Sequence, residues 1–196
     1  MRVRDEAKEI TIRQKAIEII VRHGLGALNM KDLAIASGIS ASTIYVYFKN
    51  KEDLILKLCQ WLRIEILANS IKGLTADMSL ADGLLLQWNN RYRYFINHPL
   101  NFEASEQLRY SPLYYKTTPK VIEAIGPKLD PFIKKCRKRG ELAEMPFELY
   151  WAIAFAPLYQ LMEFHISNRS YANAKFRITP ALIKKAVGRI VKSLSP

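Results

Sequence analysis

An all-α fold is predicted by three features of this chain. Apolar residues recur at spacings of three and four, and no run alternates with the period of two that a half-buried strand needs. Side chains suited to helix caps also fall at the ends of the periodic stretches. Together these outline an N-terminal three-helix head, a connecting fourth helix and a larger helical body.

The first helix is expected over about 5–23, where Ile12, Ala16, Ile19 and Ile20 make one apolar stripe. Gly24 follows and suits the left-handed conformation that ends a helix. Asn29 is a good N-cap for a second helix running to Ser37, which Gly38 closes. Ser40 caps a third, about 41–48, and Asn50 caps a fourth with Asp53 in its acidic first turn. The fourth carries Leu54, Ile55, Leu58, Leu62 and Ile66 and fades near Ser70–Gly73.

Beyond it, Ser79 starts a helix through Asn97 that Pro99 stops, and 101–110 reads as another short helix. Thr117-Thr118-Pro119 opens a helix interrupted by Gly126, Pro127 and Pro131 and resumed to Gly140. Pro146 suits the first turn of an apolar helix over 147–167, kinked at Pro157. A polar stretch, 168–177, leads to an amphipathic helix from Thr179–Pro180 to Leu194. The corresponding division is a head at 1–49, a connecting helix at 50–72 and a body at 73–196.

Composition narrows the function. At 196 residues with 49% hydrophobic and 24% charged, the chain holds one domain or two small ones around a sizeable core. Thirty Lys and Arg against eighteen Asp and Glu give a net charge of +12, which points to an anionic partner. The excess is not concentrated in the head: residues 1–70 hold 11 basic and 8 acidic residues, the remainder 19 and 10. Two cysteines are too few for a disulfide scaffold or a four-cysteine zinc site. The start MRVRDEAKEI turns acidic where a signal peptide needs an apolar run. The best apolar run, AIAFAPLY (152–159), is less than half of the roughly 18 residues a span requires. The expectation is therefore a cytoplasmic protein without membrane association.

The most specific pattern lies at 30–48. In MKDLAIASGISASTIYVYF, Leu33, Ala34, Ile39, Ile44 and Phe48 supply a small shared core, while Gly38 turns the chain sharply. Small Ala34 allows the two helices to approach. This is the helix-turn-helix arrangement, whose second helix lies in the DNA major groove. Its exposed face is expected to present Ala41, Ser42, Thr43, Tyr45 and Tyr47. Hydroxyls suit phosphate oxygens, and Ala41, Ser42 and the tyrosine rings suit thymine methyls and base edges. Lys51 adds a cation at a helix start that already favours phosphate. The alternative is a plain three-helix bundle with tyrosines on its surface.

Residues 12–54 resemble the DNA-binding head of the TetR family of bacterial transcriptional regulators. The matching run is Ile12, Ala16, Gly24, Leu33-Ala34, Ser37-Gly38-Ile39-Ser40, Thr43-Ile44-Tyr45, Tyr47-Phe48 and Lys49-Asn50-Lys51-Glu52-Asp53-Leu54. The resemblance implies a homodimer on a palindromic double-stranded operator, with a C-terminal domain that dimerises and binds a small-molecule effector. By position it implies that Thr43, Tyr47 and Lys51 grip phosphates, while Lys31, Ala41, Ser42 and Tyr45 face bases; Ser40 caps the reading helix. Asn29, Ser42 and Val46 depart from the family's usual Thr, Gly and larger aromatic, which bears on the operator sequence.

The body is rich in aromatics. Trp88, Tyr92 and Phe95 share one helical face, as do Trp151, Phe155 and Tyr159. Such stripes serve either as core or as an effector box, in which Asn89, Glu103, Glu106, Gln107, Gln160 and His165 would orient a ligand and Tyr110 would add a further ring. Leu182, Ile183, Ala186, Val187, Ile190 and Leu194 form a stripe that either joins a dimer interface or packs within one subunit. The cations around Cys136, at 134–139, read as a solvated helix end, as an anion dock, or as a field that activates the thiol.

No enzyme signature meets its structural context. Gly24-x-Gly26-x-x-Asn29 follows a helix rather than a strand and lacks the last glycine of a dinucleotide fingerprint. Glu103 and Glu106 lack the Glu-x-x-His partners of a helical metal site, so neither metal nor cofactor is expected. The reading is a ligand-responsive regulator, a repressor bound to a palindrome and to the nucleoid. An activator, a corepressor-dependent regulator and a helical ligand-binding protein without specific DNA readout are the alternatives.

Overall fold

Side-chain caps set the N-terminal helix boundaries in the computed structural model, which describes residues 5–168, 171 and 175–196. Helix α1 (Glu6–His23) starts at Asp5, whose carboxylate accepts the N–H groups of Ala7 and Lys8, and ends at Gly24. A 3-10 turn, Leu25–Ala27, leads to α2 (Met30–Ser37), α3 (Ala41–Tyr47) and α4 (Lys51–Ser70). There follow α5 (Leu80–Asn97), α6 (Pro99–Arg109), α7 (Thr118–Lys138), α8 (Phe147–Ala154), α9 (Ala156–Ser167) and α10 (Pro180–Leu194). No strand occurs among the described residues. Among them no helix is long and apolar enough to cross a membrane.

The chain forms two compact units: Met1–Glu65 with His98–Ala124, and Ile66–Asn97 with Ile125–Pro196. In the first, α1 packs on α2 and α6, and α2 on α3. Ile12, Ala16, Ile20, Leu28, Leu33, Ile44, Phe48, Leu54 and Leu58 are buried there. Arg63 donates to the Tyr114 carbonyl at 2.8 Å and to Thr117 Oγ1 at 2.7 Å, with its guanidinium over the Tyr114 ring.

In the second unit α10 packs on α5 and α8. Trp88 is wholly buried and its indole N–H reaches the Ala154 carbonyl at 2.8 Å. Gly83 lies under the Phe132 ring, where an added Cβ would stand 2.3 Å from a ring carbon, so the bare backbone permits the contact.

Three sequence expectations change. Pro99 does not merely stop a helix; it is the first residue of α6, where its fixed φ suits the turn and its missing N–H is no loss. Pro127 and Pro131 do not interrupt α7, which continues through both. Both prolines lie at exposed positions, where water can serve the carbonyls that lose a helical donor. The expected 147–167 helix is two, broken at Phe155 (φ −128°, ψ −31°) with Pro157 in the first turn of α9. Of the last amphipathic stripe, Ile183, Val187, Ile190 and Leu194 are buried within this unit. The polar stretch expected at 168–177 lies partly outside the described residues.

Candidate nucleic-acid interface

The helix-turn-helix is closed by its own short-range chemistry. Asn29 Oδ1 accepts the Asp32 N–H at 2.9 Å and starts α2. Gly38 ends it in the left-handed region (φ +63°, ψ +27°), donating to the Ala34 and Ile35 carbonyls, while Ile39 N–H returns to Ala34 at 3.1 Å. Ser40 Oγ accepts the Thr43 N–H at 3.2 Å and lies 2.8 Å from Thr43 Oγ1 and 3.0 Å from Ser42 Oγ. The turn thus fixes how α3 leaves the head.

One face of α3 is core and the other is open. Ile44 and Tyr47 are buried, whereas Ala41, Ser42, Tyr45 and Val46 are exposed and Thr43 is half-buried. Lys31 and Ser40 are also exposed. Tyr47 departs from the expected outer face. Its hydroxyl accepts the Asp5 N–H at 2.9 Å and donates to the Asp5 carbonyl at 3.2 Å, so it ties the start of α1 to the end of α3. The reason is helical phase: Tyr47 stands three residues after Ile44, on the same side.

Lys51 is half-buried and donates to the Gly26 carbonyl at 2.9 Å, which holds its ammonium over the turn between α1 and α2. An ammonium has three donors, and this contact uses one.

Sequence reasoning missed Lys57. It donates to the Tyr47 carbonyl and to Asp53 Oδ2, at 2.9 and 2.8 Å, and stands 5.3 Å from the centre of the Phe48 ring. It therefore places a cation at the carbonyl end of α3. The Asp53–Lys57 spacing of four was the available signal. Burial pushes the Asp53 carboxyl up, but the Lys57 ammonium, the Lys49 N–H and the two lysine charges together hold it below its ordinary value.

The expected effector residues fall in both units. In the first, Glu103 and Gln107 on α6 are half-buried, while Tyr110 is 85% exposed. In the second, Tyr92 meets His165 edge-on at 5.7 Å, and Tyr159 packs on Phe95 and Trp151. Phe155 faces the Arg91 guanidinium at 4.0 Å. A separate open cavity of about 340 Å³, lined among others by Asp82, Leu86, Asn89 and Arg93, includes the expected Asn89 but none of the expected aromatic residues. Sequence reasoning also missed Arg91 itself, a cation only 2% exposed. The signal was its phase: Leu84, Trp88 and Phe95 put position 91 on the buried stripe.

The basic run at 134–139 behaves as a helix end. Lys135 pairs with Asp77, Arg137 with Glu144 and Arg139 with Glu141. Cys136 is buried, and burial pushes its thiol up to about 11 despite the Arg139 charge, opposite to an activated thiol. Among the described residues no group of three or more His, Cys, Asp or Glu is placed to hold a metal ion.

Comparison with known proteins agrees with this geometry. Residues 12–58 match the model for bacterial regulatory proteins of the tetR family. An HTH-type transcriptional regulator of Haemophilus influenzae is 25% identical over 136 residues, 69% of this chain and 71% of that protein. The fold is that of a TetR family transcription regulator from Marinobacter aquaeolei, with a TM-score of 0.85 at 22% identity over 100% and 99% of the two chains. The transcriptional regulator FadR from Bacillus subtilis, solved in complex with stearoyl-CoA, gives a TM-score of 0.73 at 17% identity, covering 95% and 99%. These similar proteins are transcription regulators. Residues 12–58 thus resemble the N-terminal region of the tetR family of bacterial regulatory proteins, and the whole chain has the fold of solved regulators of that family.

Proposed function

We propose that this protein is a cytoplasmic repressor that binds a palindromic operator as a homodimer and leaves it when a small-molecule effector binds. The observation that carries the reading is the open face of α3, with Ala41, Ser42 and Tyr45 exposed beside a turn closed by Gly38 and Ser40. In this reading 1–49 is the DNA-binding domain, 50–72 the connecting helix and 73–196 the effector-binding and dimerisation domain. Ala41, Ser42, Tyr45 and Lys31 face bases, and Thr43 and Lys51 hold phosphates. Tyr47 serves first as the tether to Asp5, so its contribution to phosphate binding runs through the position of α3.

A buried aromatic interior around Trp88, Phe155 and Tyr159 supports an effector with an apolar body. So does the stearoyl-CoA found in the Bacillus subtilis regulator of similar fold. An effector acts by preferring the head spacing that does not fit the operator, and weakens DNA affinity by its differential affinity for the two states.

Selection from a random double-stranded DNA pool at near-physiological salt tests this reading. Enrichment of one palindrome is expected, with two half-sites spaced for a two-fold dimer. A pool that stays unenriched although the protein is dimeric removes the repressor reading.

A further inference from the structure

We propose that the second unit contains a buried anion site, centred on the Arg91 guanidinium, that takes the carboxylate of a small amphipathic molecule. The proposal rests on the reading that the helical body binds an effector, and it names the chemistry of that effector.

Four polar atoms define the site. Arg91 is 2% exposed, and its Nε and Nη1 have no hydrogen-bond partner. Gln87, one turn earlier on α5, is 1% exposed with Nε2 unpartnered. The Tyr150 hydroxyl, on α8, is buried and equally unpartnered. Tyr150 packs against Phe155 at 6.0 Å between ring centres, and Phe155 in turn lies 4.0 Å from the guanidinium. These side chains therefore share one neighbourhood.

All four atoms donate. A guanidinium and an amide nitrogen have nothing else to offer, and burial pushes the Tyr150 phenol up to about 12, so it keeps its proton. Buried donors are normally paired, and one interior with four unpaired ones lacks acceptors. Among the described residues nothing on Arg91 supplies a negative charge: the groups acting on it are the phenols of Tyr159 and Tyr150, with Tyr159 also hydrogen-bonded to it. Burial lowers the Arg91 pKa, yet arginine does not lose its proton in proteins, so the site cannot neutralise itself that way. The face of Phe155 offsets only part of the missing solvation.

A carboxylate answers each of these deficits. It carries one negative charge against one arginine, and its two oxygens offer about four acceptor positions, to one edge of the guanidinium and to the neighbouring donors. A phosphate would bring more charge than one guanidinium balances. Tyr159 and Trp151, both half-buried and packed on each other, lie nearest to solvent among the surrounding rings and supply aromatic surface for the rest of the molecule.

The test uses the full-length protein and calorimetric titration with octanoate, dodecanoate and 4-phenylbutyrate, each paired with its alcohol. At least one acid is expected to bind about tenfold more tightly than its alcohol, in line with a charge-assisted pair. Arg91→Gln should erase that preference, and Tyr150→Phe, which keeps the ring, should reduce it severalfold. Arg91→Met should raise the unfolding temperature of the ligand-free protein, because it removes an unpaired buried cation. The proposal is overturned if all pairs bind alike or not at all, if the preference survives in Arg91→Gln, or if Arg91→Met lowers that temperature. DNA release is read separately. An acid that binds through Arg91 without changing operator affinity keeps the site and removes its role as the effector switch.

Discussion

In the head and at the start of the connecting helix, the backbone N–H groups of Asp32, Thr43 and Asp53 each find a side-chain oxygen three residues earlier, at 2.9, 3.2 and 2.9 Å. In the second unit, Gln87 and Arg91 sit a turn apart on α5 and keep donors without partners in an apolar interior. The two regions have the same kind of secondary structure but spend their polar groups differently. The head's caps complete the hydrogen bonding at its helix starts and its α3 face is turned outward, as a surface that reads another molecule requires, although Arg13 Nε and Ser37 Oγ are also buried there with no partner among the described residues. The interior of the second unit instead gathers unpaired donors around one cation, and the proposed anion site rests on that gathering.

Substitutions can break or sharpen that contrast. The largest effect is expected from Trp88→Ala, which empties a wholly buried site and removes the bond to Ala154. It should cost about 3–5 kcal/mol in denaturant unfolding. If the loss is below 1 kcal/mol, the second unit is not packed around Trp88. Next, Tyr45→Ala should leave the melting temperature nearly unchanged yet alter base preference within the half-site, by about 1–3 kcal/mol at the affected position. Competition binding with single-base operator variants measures this, and an unaltered preference profile would take Tyr45 off the base edges.

Tyr47→Phe separates tether from contact. Loss of the two Asp5 hydrogen bonds should destabilise the protein by about 0.5–1.5 kcal/mol per bond. DNA affinity should fall uniformly across sequences, and unchanged stability would refute the tether. Lys51→Ala should likewise weaken binding without changing sequence preference, with the slope of log affinity against log salt shallower by about 1. An unchanged slope would place Lys51 away from phosphate.

The smallest effect concerns pH. The Asp53 carboxyl is held below its ordinary value of 3.8, so its ionised form stabilises the native state above that value. The contribution disappears as pH falls through the lowered pKa. Asp53→Asn should therefore lower stability at neutral pH and converge with the parent in strong acid. A constant difference down the acid limb would assign its role to packing instead.

Much of the head was legible because its signals are local. Asn29, Ser40 and Asn50 act on residues three positions away, and Gly38 acts on the turn it occupies, so a short window of sequence contains both partners. The inward side of Tyr47 could have been read from its spacing of three from Ile44, but its tether could not, because its partner, Asp5, lies 42 residues away. The same holds for the interior. Nothing beside Arg91 in the chain announces that Phe155 and Tyr150 will enclose it, and a lone arginine in a helix ordinarily faces water. The prolines of α7 misled for a different reason. Proline statistics describe helices whose lost donors matter, whereas these fall where solvent substitutes.

The contact between Gly83 and Phe132 has a consequence for how this sequence can vary. Any side chain at 83 must displace a ring that is itself wholly buried, so neither position is free to drift alone. Gly83→Ala by itself should strain the second unit, and Phe132→Leu by itself should leave a void. Made together, each change makes room for the other, and a double-mutant cycle should show strong favourable coupling. The two residues fit as a pair, one absent side chain matched to one large one.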